Sequence, residues 1–459
     1  METTEKVDTW RFLLPEIIEM LQEDPREIPE ALSDLHPADV GEIIDNLPVE
    51  MVPRFLDVFP IDQAADFFEY TAEPIRLAVI PLMDFATAAK LLDAMEPDEQ
   101  ADLIAQLPEE LRENLLKRLT PDNQEEALQI LQYPENTAGR IMTTEYISLS
   151  PNNTVGDAIR AVKEGLPTRE RYWHVYVVER GDILRGVLSI RELLLAEEDR
   201  PLSEIMNDQV ITVDPLADQE HVARLISKYD LLSIPVVASD GRMLGVVTVD
   251  DVIDVLMEEQ TEDVQRLGGV EPFEYPYFQT GFWTIIRKRA TWLVLLFVSE
   301  FFTGNALRHY NSVLEHAMTL VFFVPLIISS GGNSGSQSST IITRGLATGD
   351  IQPSKVFPVF FRELATGLML GLVLGVIGFG RAMMWDSGLT ISMVVGISLL
   401  GVVLVGTVVG AILPLGLKRI GLDPAVSSSP FIATLVDVCG IMIYFSVAKM
   451  LFAMTGQGL

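Results

Sequence analysis

Three groups of residues in this sequence have types and spacings that could do chemistry. The first is Asp437, one carboxylate inside the apolar run Ile432-Ala-Thr-Leu-Val-Asp-Val-Cys-Gly440, with no cation near it in sequence. An ionisable group is costly in lipid, so this one must face a bundle interior or an aqueous pore, where it can meet a cation. Cys439, two residues on, reads as a small packing residue rather than a ligand. The second group is the stretch 325–340, PLIISSGGNSGSQSST. In mid-membrane it can open a helix, so that freed carbonyls and the amide oxygens of Asn333 and Gln337 meet a hydrated cation. It can equally form a close-packing face of small residues that includes Gly331 and Gly332. The third group is 249–268, VDDVIDVLMEEQTEDVQRLG. Val252, Val255, Leu256, Val264 and Leu267 form a helical apolar stripe, and Asp250, Asp251, Asp254, Glu258, Glu259, Glu262 and Asp263 fill the rest. Residues three and four apart share a helix side, so Asp251, Asp254 and Glu258 line up, as do Glu259, Glu262 and Asp263. That stacking repels itself. It is either a solvated linker helix or a set of oxygen ligands whose repulsion a divalent cation relieves. Carboxylates without His or Cys favour Mg²⁺, Ca²⁺ or Mn²⁺ over Zn²⁺ or Cu²⁺.

The elements that must position these residues follow from charge and hydropathy. The 459 residues hold 65 acids and 33 Lys/Arg, a net charge of −32. The imbalance is confined to the front. Residues 283–459 hold seven acids and eleven Lys/Arg, a net +4, which leaves −36 for residues 1–282. So uneven a chain is not one globular domain. The acidic front also argues against nucleic acid as a partner, since phosphates need cationic neutralisation. A single cysteine excludes an intrachain disulfide framework.

The back part reads as an α-helical membrane domain. Near-uncharged apolar runs predict five transmembrane helices at 285–308, 317–343, 357–381, 389–417 and 428–453, each near the length that spans a bilayer. Arg287, Lys288 and Arg289 precede the first helix, Arg344, Lys355 and Arg362 flank the second connection, and Lys418 and Arg419 the fourth. The positive-inside rule then places the N-terminus in the cytoplasm and, after five crossings, the C-terminus outside. The opening METTEKVDTW is polar and acidic and is not a signal peptide.

The acidic front divides into three. Residues 1–136 read as an all-α domain of short helices punctuated by Pro at 37, 48, 74, 108 and 121, recurring about every two dozen residues as a short superhelical array. Its acids, among them Asp93, are a reservoir of oxygen ligands. Residues 137–200 and 201–256 read as two copies of an α/β unit. Ile141-Met142, 146–149, 175–178 and 186–189 recur as Ile205-Met206, 210–213, 234–237 and 245–248. The acidic helix and a linker, 250–282, lead into the membrane part at 283–459.

The duplication resembles a pair of CBS domains, a family that often binds adenine nucleotides between its repeats. Its signature Gly-h-h-Ser/Thr-x-x-Asp matches 245–251, with Thr248 and Asp251, while the first copy, 186–192, ends in Glu192. The stretch 325–337, P-x5-GGN-x-G-x-Q, resembles the signature of MgtE-type magnesium channels and transporters, and the order of domains matches that family along the whole chain. The resemblance implies a multidomain integral membrane protein: a helical N domain, a CBS pair, a "plug" helix and five transmembrane helices. It implies a homodimer in the plasma (inner) membrane, with a Mg²⁺ pore between the two membrane domains. Asp437 would bind hydrated Mg²⁺, Ala433 would line the pore one turn earlier, and Gly331, Gly332, Asn333 and Gln337 would border it. Asp423 resembles a family acid near the plug helix. Cytosolic Mg²⁺ would close the pore by binding Asp250, Asp251, Asp254, Glu258, Glu259, Glu262 and Asp263, with N-domain and CBS acids such as Asp93, Asp218 and Asp230. Family members often carry Asn eight residues before the pore acid; here that residue is Ser429.

These readings converge on a Mg²⁺ transporter that is not an enzyme, with ATP as a possible regulatory ligand. A phosphate-binding G-x-x-x-x-G-K-[ST] loop is absent from the sequence. An intramembrane metalloprotease would need His-Glu-x-x-His, which the five histidines (His36, His174, His221, His309, His316) do not supply. Transport of Mn²⁺ or Co²⁺ remains the nearest alternative.

Overall fold

The computed structural model describes residues 9–165, 173–273, 275 and 277–455; most of the opening METTEKVDTW, and 274 and 276 of the linker, lie outside them. The chain forms two compact units, Met1–Glu258 and Glu259–Leu459.

The first unit opens with short helices in two alternating series. Pro37–Asn46, Ile61–Glu69, Phe85–Asp93 and Glu109–Leu116 start 24 residues apart, and so do Glu73–Val79, Pro97–Gln106 and Pro121–Ile130. Pro occupies the first turn of several, where a helix has no use for the missing N–H. The array is bound by an acid ladder of the same period. Asp45, Glu69 and Asp93 accept the backbone N–H of Ala72, Glu96 and Thr120, each 27 residues on, at 2.7, 2.7 and 2.9 Å. Each acceptor thus satisfies the N-terminal donor of a helix in the next repeat.

The duplicated segment follows. β1 (Ile147–Leu149) runs parallel to β2 (His174–Glu179), which pairs antiparallel with β3 (Ile183–Ser189). In the second copy β4 (Ser233–Val237) pairs antiparallel with β5 (Met243–Thr248). The strand expected at 210–213 shrinks to one parallel bridge, Val213 to Val236. Pro235 explains the loss: it has no N–H to offer the next residue of a parallel ladder. The two copies exchange their leading segments. Thr143 pairs with Val246 of β5, and Asn207 with Val187 of β3. Each exchange needs a glycine: a Cβ on Gly245 would lie 2.8 Å from Met142 Sδ, and one on Gly186 2.7 Å from Met206 Sδ.

Helix α1 (Val249–Leu267) is continuous from the end of β5, as the periodicity predicts. Among the described residues of the second unit, five helices are long and apolar enough to cross a membrane. These are α2 (Phe282–His309), α3 (Val324–Ala347, preceded by a 3₁₀ turn from Met318), α4 (Val356–Met384), α5 (Leu389–Arg419) and α6 (Ser429–Thr455). Their limits lie within a few residues of the sequence expectation. α5 is central, packing on α3, α4 and α6, while α2 packs on α6.

Candidate ion site and regulatory acids

Asp437 lies eight residues into α6 and is partly buried. It makes no ion pair or hydrogen bond with a described residue. The adjoining wall is glycine: a Cβ on Gly332 of α3 would lie 3.4 Å from Ala433 Cβ and 3.6 Å from Asp437 Oδ1. The missing side chain keeps open the space beside the carboxylate. Asn333 and Gln337, one turn apart on α3, are exposed in the single chain, and Asn333 Nδ2 donates to Ser329 Oγ at 3.3 Å.

α3 is an unbroken helix, so it frees no carbonyls in mid-membrane. Gly331 differs from the pore-lining expectation. It is buried, and a Cβ there would run into Val402 of α5 and lie 2.8 Å from Val436 Cγ1. Successive helix residues point about 100° apart, which puts Gly331 on the packing face and Gly332 on the Asp437 face. The packing is backbone on backbone. A Cβ on Gly406 would lie 2.5 Å from Gly331 O, and one on Gly410 would overlap Gly335 O. The close-packing reading of the Gly/Ser stretch therefore holds at Gly331 and Gly335, while the opened-helix reading does not.

The serines of α3 hold the loop that leads into α6. Ser336 Oγ donates to Ser429 O and Ser339 Oγ to Ser427 O, both at 3.1 Å. Trp292 of α2 donates to Ser428 Oγ at 3.0 Å. Upstream, Asp423 caps the turn Pro424–Val426 by accepting from Ala425 N at 2.8 Å. Its other oxygen pairs with Arg266 near the end of α1, and Arg266 also pairs with Glu262. Sequence reasoning missed Arg266. Its partner lies 157 residues away, and no local pattern announces it.

The remaining acids fall in several places. Asp251 and Asp254 lie near the N-domain helix Pro97–Gln106. Glu96 and Asp250 act electrostatically on Asp251, Glu99 and Asp250 on Asp254. Burial pushes the Asp251 carboxyl up to about 7, against the opposing pull of hydrogen bonds from Thr248, and burial raises Asp254 too. Glu258, Glu259, Glu262 and Asp263 continue along α1. Asp93 is taken up in the ladder: Thr120 N, Thr120 Oγ1 and Asn123 Nδ2 all donate to it. Asp218 and Asp230 sit at opposite ends of the helix Gln219–Tyr229, as its N-cap and its left-handed C-cap (φ 51°). Eleven residues of helix separate them by about 16 Å, so they share no site within one chain. Among the described residues, no three His, Cys, Asp or Glu side chains stand close enough to hold a metal. The acids are gathered but not assembled.

The nucleotide signature forms a helix cap. Thr248 Oγ1 and N both donate to Asp251 Oδ2. In the first copy Ser189 and Glu192 make the equivalent capping box. The Glu that departs from the signature thus keeps the same local role.

Family models match three stretches: the MgtE intracellular N domain over residues 35–136, the CBS domain over 138–199 and 202–258, and the divalent cation transporter model MgtE over 324–447. A magnesium transporter MgtE from Thermus thermophilus is 37% identical over 437 residues, covering 94% of this chain and 97% of that protein. The chain belongs to the MgtE family. MgtE of Bacillus subtilis is 31% identical over 96% of this chain and 97% of its own length. A crystal structure of the soluble part of a magnesium transporter covers 55% of this chain and 99% of that chain, at 31% identity and a TM-score of 0.52. The cytosolic domain of the Mg²⁺ channel MgtE in complex with ATP covers 53% of this chain and 99% of that chain, at 32% identity and a TM-score of 0.50. The MgtE architecture expected from the domain order is therefore the architecture found. In this member of the family α6 begins with Ser429, whose carbonyl Ser336 holds, and Arg266 stands against Asp423.

Proposed function

We propose that this chain carries Mg²⁺ across the plasma membrane along a path past Asp437, and that cytosolic Mg²⁺ closes the path. The observation that carries the reading is Asp437 itself: a carboxylate at membrane depth, unpaired among the described residues, facing a wall that glycine keeps open. A hydrated Mg²⁺ suits such a site because it sheds water reluctantly and is held through retained waters. The exposed amides of Asn333 and Gln337 would meet lipid in a lone chain, which is unfavourable. A second copy that encloses them with the ion path removes that cost, so the working unit is a homodimer. Basic residues flanking α2 and the second and fourth connections support a cytoplasmic acidic part.

Closure is a population shift. Asp250, Asp251 and Asp254 lie near Glu96 and Glu99, and Glu258, Glu259, Glu262 and Asp263 continue the negative surface. Mg²⁺ favours the state that brings these acids together, by as much as it binds that state better. The Thr248–Asp251 cap is where a regulatory ATP would be read, by analogy with the relative solved with ATP.

The test is flux into proteoliposomes, with and without millimolar Mg²⁺ on the acidic side, for the native chain and Asp437→Ala. Native flux that this Mg²⁺ suppresses, and an assembled Asp437→Ala dimer without flux, are the expected results. Normal flux in Asp437→Ala would remove that residue from the path. Parallel runs with Mn²⁺ and Co²⁺ decide selectivity.

A further inference from the structure

Glu300 is the only charged residue between 290 and 307 on α2, a helix whose Leu293, Val294, Leu295, Phe297 and Val298 are exposed as lipid-facing side chains are. A lone carboxylate at that depth is costly unless it faces water or a cation. Its depth can be read from two hydrogen bonds. Trp292 Nε1 donates to Ser428 Oγ at 3.0 Å, and Tyr310 OH and Ser446 Oγ are bonded at 3.0 Å; in both pairs the partner is 136 residues on. α2 and α6 therefore run parallel and in register, as the first and fifth of five crossings must. The same offset sets Glu300 level with Val436, next to Asp437, and Glu300 is the charged group that acts on Asp437. One turn further along α2, Thr303 is 9% exposed, and its buried Oγ1 has no hydrogen-bond partner among the described residues. Helical hydroxyls usually bond the carbonyl four residues back, as Ser299 does to Leu295. Thr303 does not, although it lies on the same side of α2 as Glu300.

We propose that Glu300 is a second acid of the ion path and acts on the same hydrated divalent cation as Asp437. The inference rests on the reading of Asp437 as the path's acid. With it, each chain presents two carboxylates at one depth. Two charges favour a divalent over a monovalent ion, since the attraction scales with the ion's charge. Glu300 is thus a determinant of affinity and valence selectivity.

The test uses the full chain in proteoliposomes. Mg²⁺ flux is followed over a range of external Mg²⁺, and Na⁺ leak is measured in the same vesicles. Assembly is checked by size-exclusion chromatography. Glu300→Gln is expected to raise the half-saturating Mg²⁺ roughly tenfold, the effect of one unit charge on a divalent ion at about 6 Å in water-like surroundings, and to raise Na⁺ leak relative to Mg²⁺ flux. Glu300→Asp, which keeps the charge, is expected to fall between Glu300→Gln and the native chain, and it carries the test alone if Glu300→Gln does not assemble. If Asp437→Ala stops flux while neither Glu300 variant moves half-saturation or leak, Glu300 is not in the path and the reading of Asp437 stands. If Asp437→Ala leaves flux intact, both fall together.

Discussion

The crossing of α3 on α5 permits a sharp perturbation, Gly410→Ala. A methyl there would overlap Gly335 O, and at the neighbouring contact a Cβ on Gly406 would lie 2.5 Å from Gly331 O. Ordinary carbon–oxygen contact needs roughly 3.4 Å, so the helices must part by about 1 Å or more. Backbone cannot rotate away as a side chain can. Overpacking of this kind costs about 1–3 kcal/mol, and separation also forfeits Cα–H···O contacts of about 0.5–1 kcal/mol each. For a unit of some 200 residues, about 2–4 kcal/mol corresponds to a melting shift of roughly 4–16 °C. Function should fall with stability, because moving Gly331 off α5 also moves Gly332, which faces Ala433 and Asp437. The assay is thermal unfolding of the detergent-solubilised chain together with Mg²⁺ flux. Gly416→Ala is the control: it is on the same helix and a Cβ there meets nothing within 4 Å. It should melt at or slightly above the native temperature, since Ala favours helix over Gly by about 1 kcal/mol. Indistinguishable melting of the Gly410 and Gly416 variants would refute the tight crossing.

Arg266→Gln should free Asp423 and Glu262 for Mg²⁺. The Arg266 and Asp423 side chains are 36% and 31% exposed, so screening limits the pair to about 0.5–1 kcal/mol, and the Mg²⁺ needed for closure should fall about two- to fivefold in the flux assay. A rise instead would show that Arg266 itself latches the closed state. Asp251 predicts a pH dependence. Its carboxyl is raised to about 7 from 3.8, so the folded state holds the proton more tightly. That contribution is fully present below about pH 4 and is lost as pH rises towards 7. In Mg²⁺-free buffer, the melting difference between the native chain and Asp251→Asn should grow steadily over that window; a constant difference would contradict the buried environment.

Much of this was legible in sequence because the patterns are long. Five apolar runs, the 19-residue acidic helix and the duplicated strand-and-glycine order each repeat enough to fix type and rough limits. What periodicity does not reveal is the neighbour. It shows that α3 has a small-residue face but not that Gly331 meets Val402 while Gly332 meets Ala433. It does not foretell that Pro235 would cancel a strand 22 residues before it, at 210–213. Asp93 looked like one acid among many. Only the stacking of repeats turns it into a rung of a ladder with Asp45 and Glu69.

The same limitation hid the role of α3 as a junction. Gly331 and Gly335 fasten it to α5, Gly332 borders Asp437, and Ser336 and Ser339 hold the carbonyls of Ser429 and Ser427. That loop begins at the turn Asp423 caps, and Asp423 is bound to Arg266 at the end of α1. The acidic helix is therefore joined to the start of α6 by contiguous hydrogen bonds and ion pairs, and Asp437 lies eight residues, about 12 Å, further along a rigid helix. Glu262 and Asp423 are thus linked, through Arg266 and the capped turn, to the start of the helix that carries Asp437. A polar, charge-sensitive connection at Arg266, rather than an apolar one, would suit the proposed gate, since Mg²⁺ would then compete with the arginine for Glu262 and Asp423.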